Sequence, residues 1–180
     1  MSKDISVFLS SAADGDMDAF GELYSLLSAR VFNYARAITK SKEMSEDIAH
    51  DVFVQMLTRA AQLANVPNPV AYIMVSVRNT AYDHLRSSER KAAPLDEAPE
   101  VSAGAQPLDR LLILDAFSRL PPEQRETVYL QHVCGFTQRE VADIMGVPLV
   151  TVKWRCGKAI SKIKSYFNHT DEEERIYEIL

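Results

Sequence analysis

From Asp14 onward, apolar and polar positions alternate along the chain with the period of an α-helix, not of a strand. Phe20, Leu23, Tyr24 and Leu27, continued by Val31, Tyr34, Ala35 and Ile38, fall on one face of a helix that Asp16 or Asp18 is placed to cap. The stretch Ser41–Glu46 interrupts the pattern. A second helix follows with Ile48, Val52, Met56 and Leu57 turned inward, and Pro67 and Pro69 then break the chain into a loop. A third helix runs from about Val70 to Arg90, with Ile73, Val77, Ala81 and Leu85 on its buried side.

After a stretch without apolar period, a second helical block opens at Leu108. Leu111, Leu112, Leu114 and Phe117 form a short helix, and LPPEQRE sets Pro122 in the first turn of the next, where a missing N–H costs little. Val128, Leu130 and Val133 face the core, and Gly135 ends that helix. Thr137 caps Gln138–Met145, with Glu140 completing a capping box, and Gly146 makes the turn. Val152, Cys156, Ile160 and Ile163 share one face of the last helix. Lys153, Arg155, Lys158, Lys162 and Lys164 lie opposite, with no acid between Val150 and Ser165. No run pairs strand alternation with turn chemistry. The expected fold is all-α: two small helical domains, residues 1–91 and 108–167, joined by a flexible linker over residues 92–107. The C-terminal domain contains a helix-turn-helix and is followed by an acidic tail, residues 168–180.

Composition narrows this. Of the 180 residues, 47% are hydrophobic and 25% charged, ordinary for a globular chain. No apolar run is long enough to span a bilayer, and MSKDISVFLSSAADGD is too short in its apolar part and too acid-flanked for a signal peptide. A cytoplasmic location without membrane insertion is therefore expected. The formal charge of −5 argues against indiscriminate nucleic-acid binding, but it is unevenly spread. Residues 108–165 carry nine basic and six acidic side chains, the linker three acids and no base, and residues 166–180 five acids and one base. A mildly basic domain is masked by acidic neighbours. Fully extended, the linker reaches about 50 Å. Cys134 and Cys156 do not make a secreted disulfide framework.

Three clusters carry candidate chemistry. The segment Thr137–Ala159 can lay its second helix in a DNA major groove, with Thr151, Lys153, Trp154 and Arg155 within reach of base edges. Arg155 could read guanine with two hydrogen bonds. Trp154 could stack on a sugar or a thymine methyl, or pack at the domain rim. In the third helix of the first block, Arg78, Tyr82, Arg86 and Arg90 share a face beside Asn79 and Asp83. Cations interleaved with an aromatic suit unpaired DNA, though a solvated helix end reads similarly. The second helix is acidic, with Glu43, Glu46, Asp47 and Asp51. Asp47 and Asp51 point the same way, as a docking face for a basic partner, as complements to the helix dipole or, with His50, as metal ligands. His132, Cys134 and Cys156 allow a zinc or redox site, or simply a buried thiol. No glycine-rich phosphate loop, HExxH or nucleophile elbow is present, so neither enzyme activity nor a cofactor or metal is expected.

Taken together and in order, these segments resemble the extracytoplasmic-function group of bacterial RNA polymerase sigma factors, over roughly residues 14–166. GDMDAFGELY is similar to the family's opening helix and SEDIAHDVFVQ to its polymerase-binding segment. PVAYIMVSVRNTAYDHLR carries the RN-x-x-x-D-x-x-R pattern of the minus-ten segment. LPPEQRE and GFTQREVADIMGVPLVTVKWR match the domain that reads the minus-thirty-five element. The resemblance implies that Asp47, Asp51 and Gln55 contact the coiled coil of the polymerase β′ clamp. It implies that the loop around 62–68, with Arg78, Asn79, Tyr82, Asp83 and Arg86, holds a flipped minus-ten base and the melted strand. Thr137, Gln138, Thr151, Lys153, Trp154, Arg155 and Lys158 then read the minus-thirty-five duplex, with that domain on the β flap. The linker threads toward the active-site cleft and RNA exit channel, where Asp96, Glu97 and Glu100 imitate RNA phosphates. Any anti-sigma factor is expected on a separate chain.

The sequence departs from the family pattern at Met56 and Tyr72, where Trp is frequent, at His50, where Gln is usual, and at Trp154 and Gly157, which replace Ser and His. These changes bear on promoter preference. Thr170 opens a capping box ahead of ERIYEIL, so the tail is either a short acidic helix or a solvated end. Its acids are expected to shield Lys158–Lys164 in the free protein. A stand-alone helix-turn-helix regulator or a protein-binding adaptor remains the alternative, and either leaves part of the chain without a role.

Overall fold

Ahead of the first predicted helix lies another. In the computed structural model, which describes residues 2–89 and 116–167, α1 spans Ser2–Ala13 and packs on the elements that follow it. Its buried residues, Ile5, Leu9 and Ala12, make a stripe one residue wide, too narrow to register as a period against its polar neighbours. Gly15, at φ 93°, turns the chain. Asp16 then caps α2 (Met17–Thr39), its carboxylate accepting the N–H groups of Asp18 and Ala19, each at 3.0 Å.

The chain divides into two compact units, Met1–Asp96 and Glu97–Leu180. In the first, α2 buries Leu23, Leu27, Val31, Tyr34 and Ala35 as its periodicity predicts. Tyr24, expected inward, is instead exposed, and Phe20 and Ile38 are only half-buried. The break after α2 is shorter than expected. Lys40 takes the left-handed conformation, at φ 59°, and its N–H and carbonyl are both held by Arg36. Ser41 immediately caps α3 (Lys42–Thr58) by accepting the N–H of Met44. The acids of 42–46 thus belong to the first turns of a helix, where they suit its dipole. A buried cluster of hydroxyls closes the corner: Thr39 donates to the Ala35 carbonyl and meets the Ser45 hydroxyl at 3.1 Å, while Ser45 donates to the Ser41 carbonyl.

Helix α3 buries Ile48, Val52, Phe53 and Met56, whereas Leu57 is half-buried. A single turn, α4 (Ala60–Leu63), and the Pro67–Asn68 loop lead into α5 (Pro69–Glu89), which crosses α2 and α3 and buries Ile73, Met74, Val77 and Ala81. Asn68 caps it, accepting the N–H of Ala71. Each fully buried aliphatic side chain stabilises the unit by about 1.5–3 kcal/mol relative to exposure.

In the second unit, α6 (Pro122–Val128) starts with proline in its first turn and continues through a π turn over Tyr129–Val133. Gly135, at φ 74°, reverses the chain, and the N–H of Phe136 donates to the carbonyl of Leu130 at 3.0 Å. Phe136 therefore fills the buried place expected of Val133, which points to solvent. Helix α7 (Gln138–Met145) begins with a full capping box: Glu140 Oε2 accepts the N–H and hydroxyl of Thr137 at 2.8 Å, and Thr137 accepts the N–H of Glu140. Gly146, at φ 65°, ends α7, and α8 runs from Leu149 to Phe167. Ala116, Leu120, Val128, Ala159 and Ile163 form one core, with Phe117 and Tyr166 packed against it. Ile160, expected inward, is half-buried, and Ala159 holds its place. No strand occurs among the described residues. The helix expected over Leu111–Leu114, the linker and the acidic tail lie outside them.

Candidate nucleic-acid interfaces

Helix α8 presents two opposed faces. Val152, Cys156, Ala159 and Ile163 are buried against the unit, while Val150, Lys153, Trp154, Gly157, Lys158, Ser161 and Lys162 face solvent. No acid occurs on the helix, so its outer face carries a positive field. Thr151 and Gln138, two expected contacts, are half-buried at the edge of this surface. Thr137 is exposed, but its hydroxyl is engaged with Glu140 in the capping box.

Arg155 stands apart from the other expected base readers. Its guanidinium pairs with Glu123 in the first turn of α6 at 3.2 Å, and its side chain is only 15% exposed against 65% for Glu123. It sits at the seam between α8 and α6, one residue from buried Cys156, and not among the outward lysines. Val150, which sequence reasoning left out, is 72% exposed and lies four residues before Trp154, itself 58% exposed. The phase of Val152 and Cys156 alone would have put both on the outer face.

In the first unit, the residues expected to take unpaired DNA lie along the C-terminal half of α5. The Arg78 guanidinium lies 4.8 Å from the centroid of the Tyr82 ring, a cation–π contact. Arg86 donates to Asp83 at 2.9 Å and to the Tyr82 carbonyl at 3.3 Å, and Asn79 is exposed. Arg90 and Lys91 lie outside the described residues.

The acidic face also forms. Asp47, Asp51 and Gln55 are exposed at i, i+4 and i+8 along α3. Asp51 is approached by His84 of α5 at 3.6 Å, a contact between the acidic helix and the Arg/Tyr helix. Beside it, a groove of about 420 Å³ between α2 and α3 is lined by Tyr24, Phe32, Glu46, His50 and Phe53 among others. The Tyr24 and Phe53 rings stand 4.6 Å apart. Exposed Tyr24 thus completes an aromatic wall on this side.

Among the described residues, no group of three or more His, Cys, Asp or Glu is placed to hold a metal ion. Cys134 and Cys156 are both buried and free. Cys156 Sγ lies 3.7 Å from His132 Nε2, and burial pushes its thiol above the usual value. It is a packed, protonated thiol in the core step of α8 and not a poised nucleophile. No helix among the described residues is long and apolar enough to cross a membrane.

Comparison with known proteins agrees with this layout. Residues 23–91 match the model of sigma-70 region 2, and residues 110–163 that of sigma-70 region 4. The ECF RNA polymerase sigma factor BldN of Streptomyces coelicolor is 28% identical over 166 residues, covering 84% of this chain and 62% of BldN. The ECF RNA polymerase sigma factor SigK of Mycobacterium sp. strain JLS is 26% identical over 173 residues, 90% of each chain. Among solved structures, the sigma factor RpoE in complex with the anti-sigma factor NepR from Bartonella quintana superposes with a TM-score of 0.73 at 20% identity, covering 85% of this chain and 98% of that one. The chain belongs to the sigma-70 family of RNA polymerase sigma factors, in its extracytoplasmic-function group.

Proposed function

We propose that the two units divide the work of promoter recognition. The first docks RNA polymerase through Asp47, Asp51 and Gln55 on the β′ clamp coiled coil, and uses Arg78, Asn79, Tyr82, Asp83 and Arg86 to hold the melted minus-ten strand. The second, on the β flap, reads the minus-thirty-five duplex with α8. Capture of unstacked bases by cations and an aromatic offsets the cost of melting without any covalent step, so the chain acts in the cytoplasm as a non-catalytic initiation factor. The linker, residues 92–107, runs between the two contacts, its acids standing for RNA phosphates. By analogy with RpoE and NepR, a separate anti-sigma chain holds the protein inactive.

The observation that carries this reading is the division of charge. One unit exposes an acidic helix beside an Arg/Tyr helix, and the other a recognition helix with no acid on it. A stand-alone regulator needs only the latter. Core polymerase stripped of sigma tests the reading. Added protein is expected to restore initiation from defined start sites, and Asp47→Lys with Asp51→Lys is expected to abolish it while the fold persists. Binding to duplex DNA with no restored initiation overturns the reading in favour of a stand-alone regulator.

A further inference from the structure

We propose that Val150 and Trp154 form an apolar reading head on α8 that selects thymine by its C5-methyl group; this rests on the second unit reading duplex DNA. The two side chains stand four residues apart, on successive turns, and are 72% and 58% exposed. Neither supports the core, which is held by Val152, Cys156, Ala159 and Ile163 on the opposite face. Large apolar groups held in water cost free energy unless something covers them.

The surroundings name the occupant. Lys153, Lys158 and Lys162 are exposed around the pair, and the helix carries no acid. An apolar pair ringed by cations matches the major groove, where thymine methyls project between two rows of phosphates. Gly157, one turn beyond Trp154, sharpens the match. Glycine inside a helix costs roughly 0.5–1 kcal/mol relative to alanine. No tight packing in this unit requires it, since a Cβ built there meets nothing within 4 Å. A residue without a side chain on the outer face lets a base edge or sugar approach the helix backbone beside the indole. The structure thus separates two tasks on one helix: lysines hold phosphates at any sequence, and Val150 with Trp154 chooses the base.

The test removes the methyl group and nothing else. The full chain, assembled with core polymerase, selects duplexes from a library randomised over the upstream promoter element. Selected duplexes are rebuilt with deoxyuridine in place of each thymine. The wild type is expected to lose about fourfold in affinity at each contacted methyl, the worth of one buried carbon. Val150→Ala with Trp154→Ala, which removes no core packing, is expected to bind thymine and uracil forms alike. Equal wild-type affinity for the two forms overturns the inference while leaving duplex reading intact, as does methyl discrimination that survives in the double variant. Failure to select any upstream sequence overturns both. Loss of polymerase capture in the double variant, with methyl discrimination unchanged, shows the pair to be a protein-docking patch and also overturns it.

Discussion

Arg155 shows how a charge on a DNA-facing helix can do a different job from its neighbours. Paired with Glu123 and largely sheltered, it fixes the recognition helix against α6 and so sets the angle at which the lysines and the apolar pair meet DNA. Glu123 is mostly exposed, so removing Arg155 leaves a carboxylate that water can solvate, not a buried charge. Loss of the pair is expected to cost about 1 kcal/mol, near the upper range for exposed pairs. Arg155→Ala and Glu123→Ala are expected to lower thermal stability by similar amounts, to combine without adding, and to leave base preference unchanged; a double-mutant cycle with calorimetry and duplex selection reads all three. A change of preferred base in Arg155→Ala alone would restore it as a reader. The seam position could not be read from the sequence. Periodicity gives the phase of a residue around its own helix, and Arg155, about 100° from Cys156, lies at the border between the two faces. Only the partner helix decides to which side it belongs.

Among the elements, those with a broad apolar stripe and a definite cap were legible. The capping box of α7, the proline start of α6 and the glycine turn before α8 follow from local chemistry, and the structure has each. The misses have physical causes. The stripe of α1 is one residue wide, so its helix is held by tertiary contact and not announced by pattern. Val133 was misplaced because a π turn and a reversal at Gly135 bring Phe136 into the core instead. Tyr24 reads as core by spacing, yet it borders the groove on the acidic side. Of the candidate contacts, the clustering of Arg78 with Tyr82 and of Asp47 with Asp51 was visible as i, i+4 spacing, whereas the Asp51–His84 link joins residues 33 positions apart. Thr137 belongs to this scale too. Because its hydroxyl and N–H both serve the cap, Thr137→Ala is expected to destabilise α7 by about 1 kcal/mol, with Thr137→Ser nearly neutral, as measured by amide exchange in Glu140 and Val141. Equal protection in the alanine variant would show that the cap contributes nothing.

For the whole molecule, the balance of charge sets how readily it engages DNA by itself. The net charge of −5 coexists with a recognition helix free of acids, and the five acids of residues 166–180 follow directly on that helix. Deleting residues 168–180 is expected to raise the affinity of the free protein for promoter duplex several-fold at low salt, with the gain vanishing as salt rises, because the effect is one of screened charge. Unchanged affinity at low salt would remove the tail from any shielding role. The molecule also carries a tolerance for change in its own length. An insertion or deletion inside an ordinary α-helix swings everything downstream by about 100°. The π turn at Tyr129–Val133 already holds one residue more than an α-helical turn needs. Loss of a single residue there lets the backbone relax into regular α-helix while Gly135 and the capping box continue to start α7. The widened turn is thus a spare link in the chain, a place where evolution can add or subtract a residue without turning the recognition helix away from its groove.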